Sequence, residues 1–154
     1  MLATNTNVAG SVTSYWDSDT SQWGSDKFHG EIIRGVAAES VQYGDYVCLD
    51  SGQWRLTDIG TAGAGNTGML GVALTNGSIT DPIDVLLRGF ISNSMVNNYG
   101  LDGTPLYLAM GTSGYVDNVV PSSSGSIVRI VGYGFKGNPG VVRFWPDNTW
   151  VVVP

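Results

Sequence analysis

Gly44-Asp-Tyr-Val-Cys-Leu49 and Gly103-Thr-Pro-Leu-Tyr-Leu108 read as one element written twice, 59 residues apart. Met69-Leu-Gly-Val-Ala-Leu74 and Ile130-Val-Gly-Tyr-Gly-Phe135 repeat the relation at an offset of 61, in the same order along the chain. Each is a short run of β-branched, aromatic or leucine residues bounded by turn residues, which marks a strand and not a helix. Between them, Gln53-Trp54-Arg55 lies over Gly114-Tyr115-Val116, and Val85-Leu-Leu-Arg-Gly89 is echoed loosely by Val141-Val-Arg-Phe144. The expected fold is all-β: a small β-sandwich or barrel of two pseudo-equivalent β units sharing one core. Gly71 and Gly132 fall at matching strand positions, where glycine marks a bulge or the close approach of another backbone.

The same alternation continues on both sides. Further strands are expected at Ile32–Val36, Trp54–Thr57, Val85–Ile91, Val141–Trp145 and Thr149–Val153, with Ser126–Phe135 as one long strand. The breaks carry turn chemistry, as in Asp50-Ser-Gly52, Asn76-Gly77, Asp102-Gly103 and Gly137-Asn-Pro-Gly140. Composition agrees: 18 Val and 22 Gly stand against 2 Glu, 2 Lys and 3 Gln, so surface helix formers are almost missing. At 154 residues the chain is one domain's worth. Residues 31–154 form the expected β domain, and residues 1–30 an extended N-terminal arm, polar and without a period of 2 or 3.6. Trp16, Trp23 and Phe28 sit in that arm, and large aromatics in a segment that builds no core of its own invite burial against something else.

Charge and composition exclude several classes. The net charge of −6, with no basic block, argues against nucleic acid as a direct partner. No apolar run approaches the roughly eighteen residues of a membrane span. Met1 to Ser14 has neither a basic nor an apolar signal region, so the chain is expected to fold where it is made. With one cysteine and one histidine there is no internal disulfide and no multi-histidine metal site. His29 lies in the arm and reads as structural, and Cys48, between Val47 and Leu49, reads as an inert strand thiol. Asp17-Ser-Asp19 lacks the rest of a calcium loop, and the glycine-rich run Gly60 to Gly68 lacks the Lys-Ser/Thr of a phosphate loop. No catalytic residues, cofactor or metal are therefore expected. Five arginines, Arg34, Arg55, Arg88, Arg129 and Arg143, lie mostly inside apolar strands; arginine there suits pairing across a contact, and otherwise marks the solvent face.

Taken together, Gly44-Asp-Tyr-Val-Cys-Leu49, Gly68-Met-Leu-Gly-Val-Ala-Leu74, Val85-Leu-Leu-Arg-Gly-Phe-Ile91, Ser126-Ile-Val-Arg-Ile-Val-Gly-Tyr133 and Phe144-Trp-Pro-Asp-Asn-Thr-Trp150 resemble the strand-and-turn pattern of small β domains in tailed-bacteriophage virion proteins, over Glu31 to Val153. The resemblance implies a non-enzymatic structural protein, a capsid decoration (cement) protein or a head-fibre module. It further implies a homo-oligomer, most often a trimer, bound to the major capsid protein on the outer surface of the head. The arm would become ordered on the capsid, with Trp16, Trp23, Phe28 and Arg34 as the expected partner-binding residues. A single domain starting at Met1, without heptads or a collagen-like shaft, suits a small stand-alone decoration protein better than a long fibre. The alternative is a receptor- or carbohydrate-binding fibre or tail module, with Trp54, Tyr99, Tyr115 and Trp150 as candidate sugar-stacking rings. A hydrolase using two carboxylates on this scaffold is the third reading, with no recognisable acid–base pair behind it.

Overall fold

The computed structural model describes residues 28–58, 66–92, 103–109, 111–137 and 140–154. Among them there is no helix, hence none long and apolar enough to cross a membrane. The strands are β1 (Phe28–Val36), β2 (Tyr46–Asp50), β3 (Gln53–Leu56), β4 (Leu70–Ala73), β5 (Pro82–Ser92), β6 (Pro105–Leu108), β7 (Val116–Asp117), β8 (Ile127–Val128), β9 (Ile130–Gly137), β10 (Gly140–Phe144) and β11 (Val151–Val152). A single antiparallel sheet runs β3-β2-β4-β5-β10-β9-β6-β7, with β1 on the remaining edge of β5, and curls strongly into a half-barrel. A separate two-stranded ribbon joins β8 to β11.

That order is a palindrome, and it carries the internal repeat. β3-β2-β4-β5 is answered by β7-β6-β9-β10, and the halves meet where β5 pairs with β10. The register agrees: Val47 pairs with Gly71, and Leu106 with Gly132, so the two glycines occupy equivalent ladder positions. Both sit under a close approach. A Cβ on Gly132 would overlap the Arg143 carbonyl oxygen, and one on Gly71 would overlap Val85 Cγ1. The finer correspondence slips by one residue, because Leu49 pairs with Trp54 whereas Leu108 pairs with Val116. Trp54 is therefore the counterpart of Val116, and not of Tyr115.

The two halves also differ in which face they bury. In the first, Val47, Trp54, Ala73, Ile83 and Val85 point away from the second half and pack together with Ala37 and Val41. Strands β3-β2-β4-β5-β1 close around this cluster, since Ala37 bridges back to Trp54 and the Ala38 amide donates to the Trp54 carbonyl at 2.7 Å. The opposite face of the same strands supplies Tyr46, Cys48, Leu70, Val72 and Leu86 to a larger core. The second half completes that core with Leu106, Leu108, Val116, Val131, Val142 and Phe144. Val47 and its counterpart Leu106 thus look to different cores.

The switch of face has a local cause. In the β1–β5 ladder Glu31 pairs with Arg88 but Ile32 pairs with Leu86, leaving Leu87 as an extra residue. One inserted residue reverses the alternation, so Val85 and Leu87 face the inner cluster while Leu86 and, beyond the bulge, Ile91 face the shared core.

Two boundaries differ from the sequence reading. β1 begins at Phe28, so Phe28, His29 and Gly30 belong to a strand; Phe28 is half-buried against the shared core and pairs with Ile91. Residues 1–27, with Trp16, Trp23 and Asp17-Ser-Asp19, lie outside the described residues. The long strand expected over Ser126–Phe135 breaks at Arg129, with Ile127–Val128 joining β11 and Ile130 onward joining the main sheet.

Cys48 is buried in β2, 2 % exposed, with its Sγ 3.9 Å from the Leu56 carbonyl. Burial raises its thiol pKa to about 11, so at pH 8 only about one molecule in a thousand carries a thiolate. The expected result is no measurable alkylation of the folded protein at pH 8, checked by mass spectrometry with and without denaturant. The folded-state pKa lies above the unfolded one, so the protonated thiol's contribution is intact below about pH 9 and is lost as pH rises through about 11. Cys48→Ser costs about 1–2 kcal/mol by placing a hydroxyl among apolar neighbours.

Candidate functional site

The arginines show where the surface is organised. Arg34, on β1, faces its ladder partner Asp84: Nε donates to Oδ1 at 2.9 Å and Nη2 to Oδ2 at 3.3 Å. This fork raises the Arg34 pKa through the hydrogen bond and charge of Asp84, with the guanidinium still at the surface. Arg55 is paired with Asp50 at 3.0 Å beside the Ser51-Gly52 turn. Among the described residues neither guanidinium lies over an aromatic ring.

Arg88 and Arg143 behave differently. Both are exposed, and both lie over the ring of Trp145, 5.2 and 5.0 Å from its centroid. The geometry follows from the sheet: Arg143 is on β10 and Arg88 on the neighbouring β5, and Trp145 follows directly on β10 with its amide donating to the Val131 carbonyl at 3.0 Å. Trp145 remains 45 % exposed, held open between two cations instead of folding inward. Neither arginine forms an ion pair among the described residues.

Arg129 is the buried arginine, 6 % exposed at the break between β8 and β9. It bonds carbonyls, and no carboxylate: Nε donates to Asp147 O at 2.7 Å, and Nη1 donates to Asn66 O at 2.9 Å and Gly68 O at 2.7 Å. Desolvation lowers its pKa, with the Asp147 charge opposing the shift. The guanidinium ties the turn at residues 66–68 to the segment after β10, and its Cζ lies 5.8 Å from the Trp150 ring centroid.

These groups border a cleft of ≈ 440 Å³. Trp150, 42 % exposed, and Arg129 line it together with Glu31, Arg88, Asn148 and Met69. Arg88 belongs to both features, so the Trp145 face and the Trp150 cleft are continuous.

The sequence-derived candidates distribute unevenly. Trp54 is a core residue, 2 % exposed, and is withdrawn as a sugar-stacking ring; Tyr115 is half-buried, Tyr99 lies outside the described residues, and Trp150 is open to solvent. Phe28 and Arg34 sit on the same strand but are not brought together, since Phe28 packs inward opposite Ile91 and Arg34 pairs outward with Asp84. Glu39 accepts the Leu56 amide at 3.0 Å, a structural role. Trp145, Arg88, Arg143 and Arg129 were legible only as strand residues; the clustering of Trp with Arg around Phe144-Trp-Pro-Asp-Asn-Thr-Trp150 was the available signal. No group of three or more metal-ligating side chains occurs among the described residues.

What the fold and this surface define is a compact antiparallel β protein presenting a tryptophan–arginine face. No protein-family model matches the chain, and no curated protein and no solved structure is significantly similar to it.

Proposed function

We propose that the protein is a non-enzymatic structural component of a tailed-bacteriophage virion, a capsid decoration protein that binds the major capsid protein on the outer head surface as a homo-oligomer, most simply a trimer. The observation that carries the binding role is Trp145, exposed and bracketed by Arg88 and Arg143. Tryptophan and arginine are the residues most enriched where protein contacts concentrate their energy, and arginine gives acidic partner loops a fixed donor fork. The resemblance over Glu31 to Val153 supplies the setting. A curled sheet in which all nine residues of β1 pair with the eleven-residue β5 suits a protein whose task is to stay folded while gripping a neighbour.

In this reading the arm adds a second contact. Trp16 and Trp23 would be buried on the capsid, and ordering the segment costs entropy that their burial offsets.

The decisive experiment is to label the protein on purified virions and record the position and copy number of the label. Many copies spread over the head support the proposal. A few copies at the tail tip replace it with a receptor-binding module, and absence from particles overturns the virion assignment. In a reattachment assay on stripped particles, Trp145→Ala is expected to weaken binding at least ~10-fold, and Trp16→Ala with Trp23→Ala to abolish it. Both variants should keep the parent's thermal unfolding temperature. Attachment equal to the parent's removes these residues from the contact.

A further inference from the structure

The cleft beside Trp150 has the construction of a small-ligand site. Its volume, ≈ 440 Å³, falls within the roughly 300–1,000 Å³ of such sites and is too small to seat a folded partner. Trp150 provides an exposed aromatic wall, and the Arg129 guanidinium, which three carbonyls hold in place, lies 5.8 Å from its ring centroid and lines the same cleft.

Arg129 is the informative group. Its Nε and Nη1 are committed to Asp147, Asn66 and Gly68, and among the described residues Nη2 has no partner. Nη2 is not sealed from solvent either, although the residue as a whole is 6 % exposed and lines the cleft. A fixed cation more than nine-tenths buried therefore offers its remaining N–H groups to whatever enters. Arg88 also lines the cleft, so among the described residues the ionisable side chains lining it are two arginines and one carboxylate, Glu31, in a chain whose net charge is −6.

We infer that this cleft binds an acidic sugar. The ring lies against Trp150, the sugar carboxylate takes Arg129 Nη2 with Arg88 beside it, and Glu31 and Asn148 receive and direct the hydroxyls. An aromatic platform next to convergent donors and acceptors is what a saccharide requires. A bare anion has no use for the tryptophan, and an apolar ligand has none for Glu31 and Asn148. The site is independent of where on a particle the protein sits.

The test is a titration of the ¹⁵N-labelled full chain at constant ionic strength, following the Trp150 indole N–H signal, which Trp150→Ala assigns. The probes are D-glucuronic acid and N-acetylneuraminic acid, with D-glucose and sodium acetate as controls. The expected result is a saturable shift of the Trp150 signal by at least one acidic sugar, with glucose and acetate each ~10-fold weaker or more. Arg88→Gln should weaken that binding about 5- to 10-fold, with other spectral changes confined to the surroundings of residue 88 and Trp145. Glucose binding as well as the acids shows that the cations play no part and overturns the assignment. Acetate binding equally well reduces the site to an anion hole, and no saturable response to either acidic sugar rejects it.

Discussion

Gly89→Ala lowers the stability of the protein by about 3–4 kcal/mol, measured as the change in unfolding free energy in urea. Gly89 and Gly30 are direct partners in the β1–β5 ladder, with φ of +142° and +149°, in a region that side-chain-bearing residues rarely adopt. A Cβ on Gly89 would overlap the His29 carbonyl oxygen and stand 2.7 Å from the Gly30 Cα. Backbone cannot rotate aside as a side chain does, so the conformational strain and the overlap both have to be absorbed by moving β1 off β5. Gly52→Ala is the control: φ is +81° there too, but nothing lies within 4 Å of the added carbon. It should cost only the conformational part, roughly 1 kcal/mol. Equal losses for the two variants would show that the strands do not approach as closely as described. The glycine pair stands immediately beside the Leu87 bulge, where β5 passes from pairing with β4 to pairing with β10.

Arg129→Met is expected to cost a similar amount, about 3–4 kcal/mol. Three hydrogen bonds from a charged donor disappear, and the carbonyls of Asn66, Gly68 and Asp147 lose their shared partner. These contacts span 18 to 63 residues of sequence, so their loss frees the 66–68 turn and the segment carrying Trp150 together. Trp150 loses the cation beside its ring, and near-ultraviolet circular dichroism should change before global unfolding. Arg129→Lys should recover less than half of the stability, because an ammonium lacks the planar fork that reaches both turns. Full rescue by lysine would reduce the residue to a charge without directional bonding.

Much of the fold was legible in the chain because it rests on short-range signals. The alternating runs gave β1, β2, β3, β4, β5, β6, β9 and β10 to within a few residues, and Asp50-Ser-Gly52 gave the tight β2–β3 turn, with Ser51 and Gly52 both at positive φ. The duplication was legible for a related reason: Val47–Gly71 and Leu106–Gly132 keep the same ladder position, and at each the neighbouring strand, through Val85 or Arg143, leaves no room for a Cβ. The one-residue slip at Trp54 was not visible, since a two-residue strand such as Val116–Asp117 has too little pattern to fix its register. The site was less legible still. Arg129, between Val128 and Ile130, and Arg143, between Val142 and Phe144, both read as strand arginines in sequence, yet one is 6 % exposed and the other lies on the surface.

Sequence by itself determined that the chain is all-β, acidic and built of two related units, because strand propensity, turn chemistry and charge are properties of neighbouring residues. Tertiary structure alone decided that β2 and β6 turn opposite faces to the shared core, that Trp54 is core while Trp145 and Trp150 are surface, and that Arg129 is a buried tie. The physical reason is the same in each case. One extra residue in β5 reverses the alternation between its β4-paired and its β10-paired ends, and the partners that hold Arg129 and Trp145 come from segments that meet only when the sheet curls.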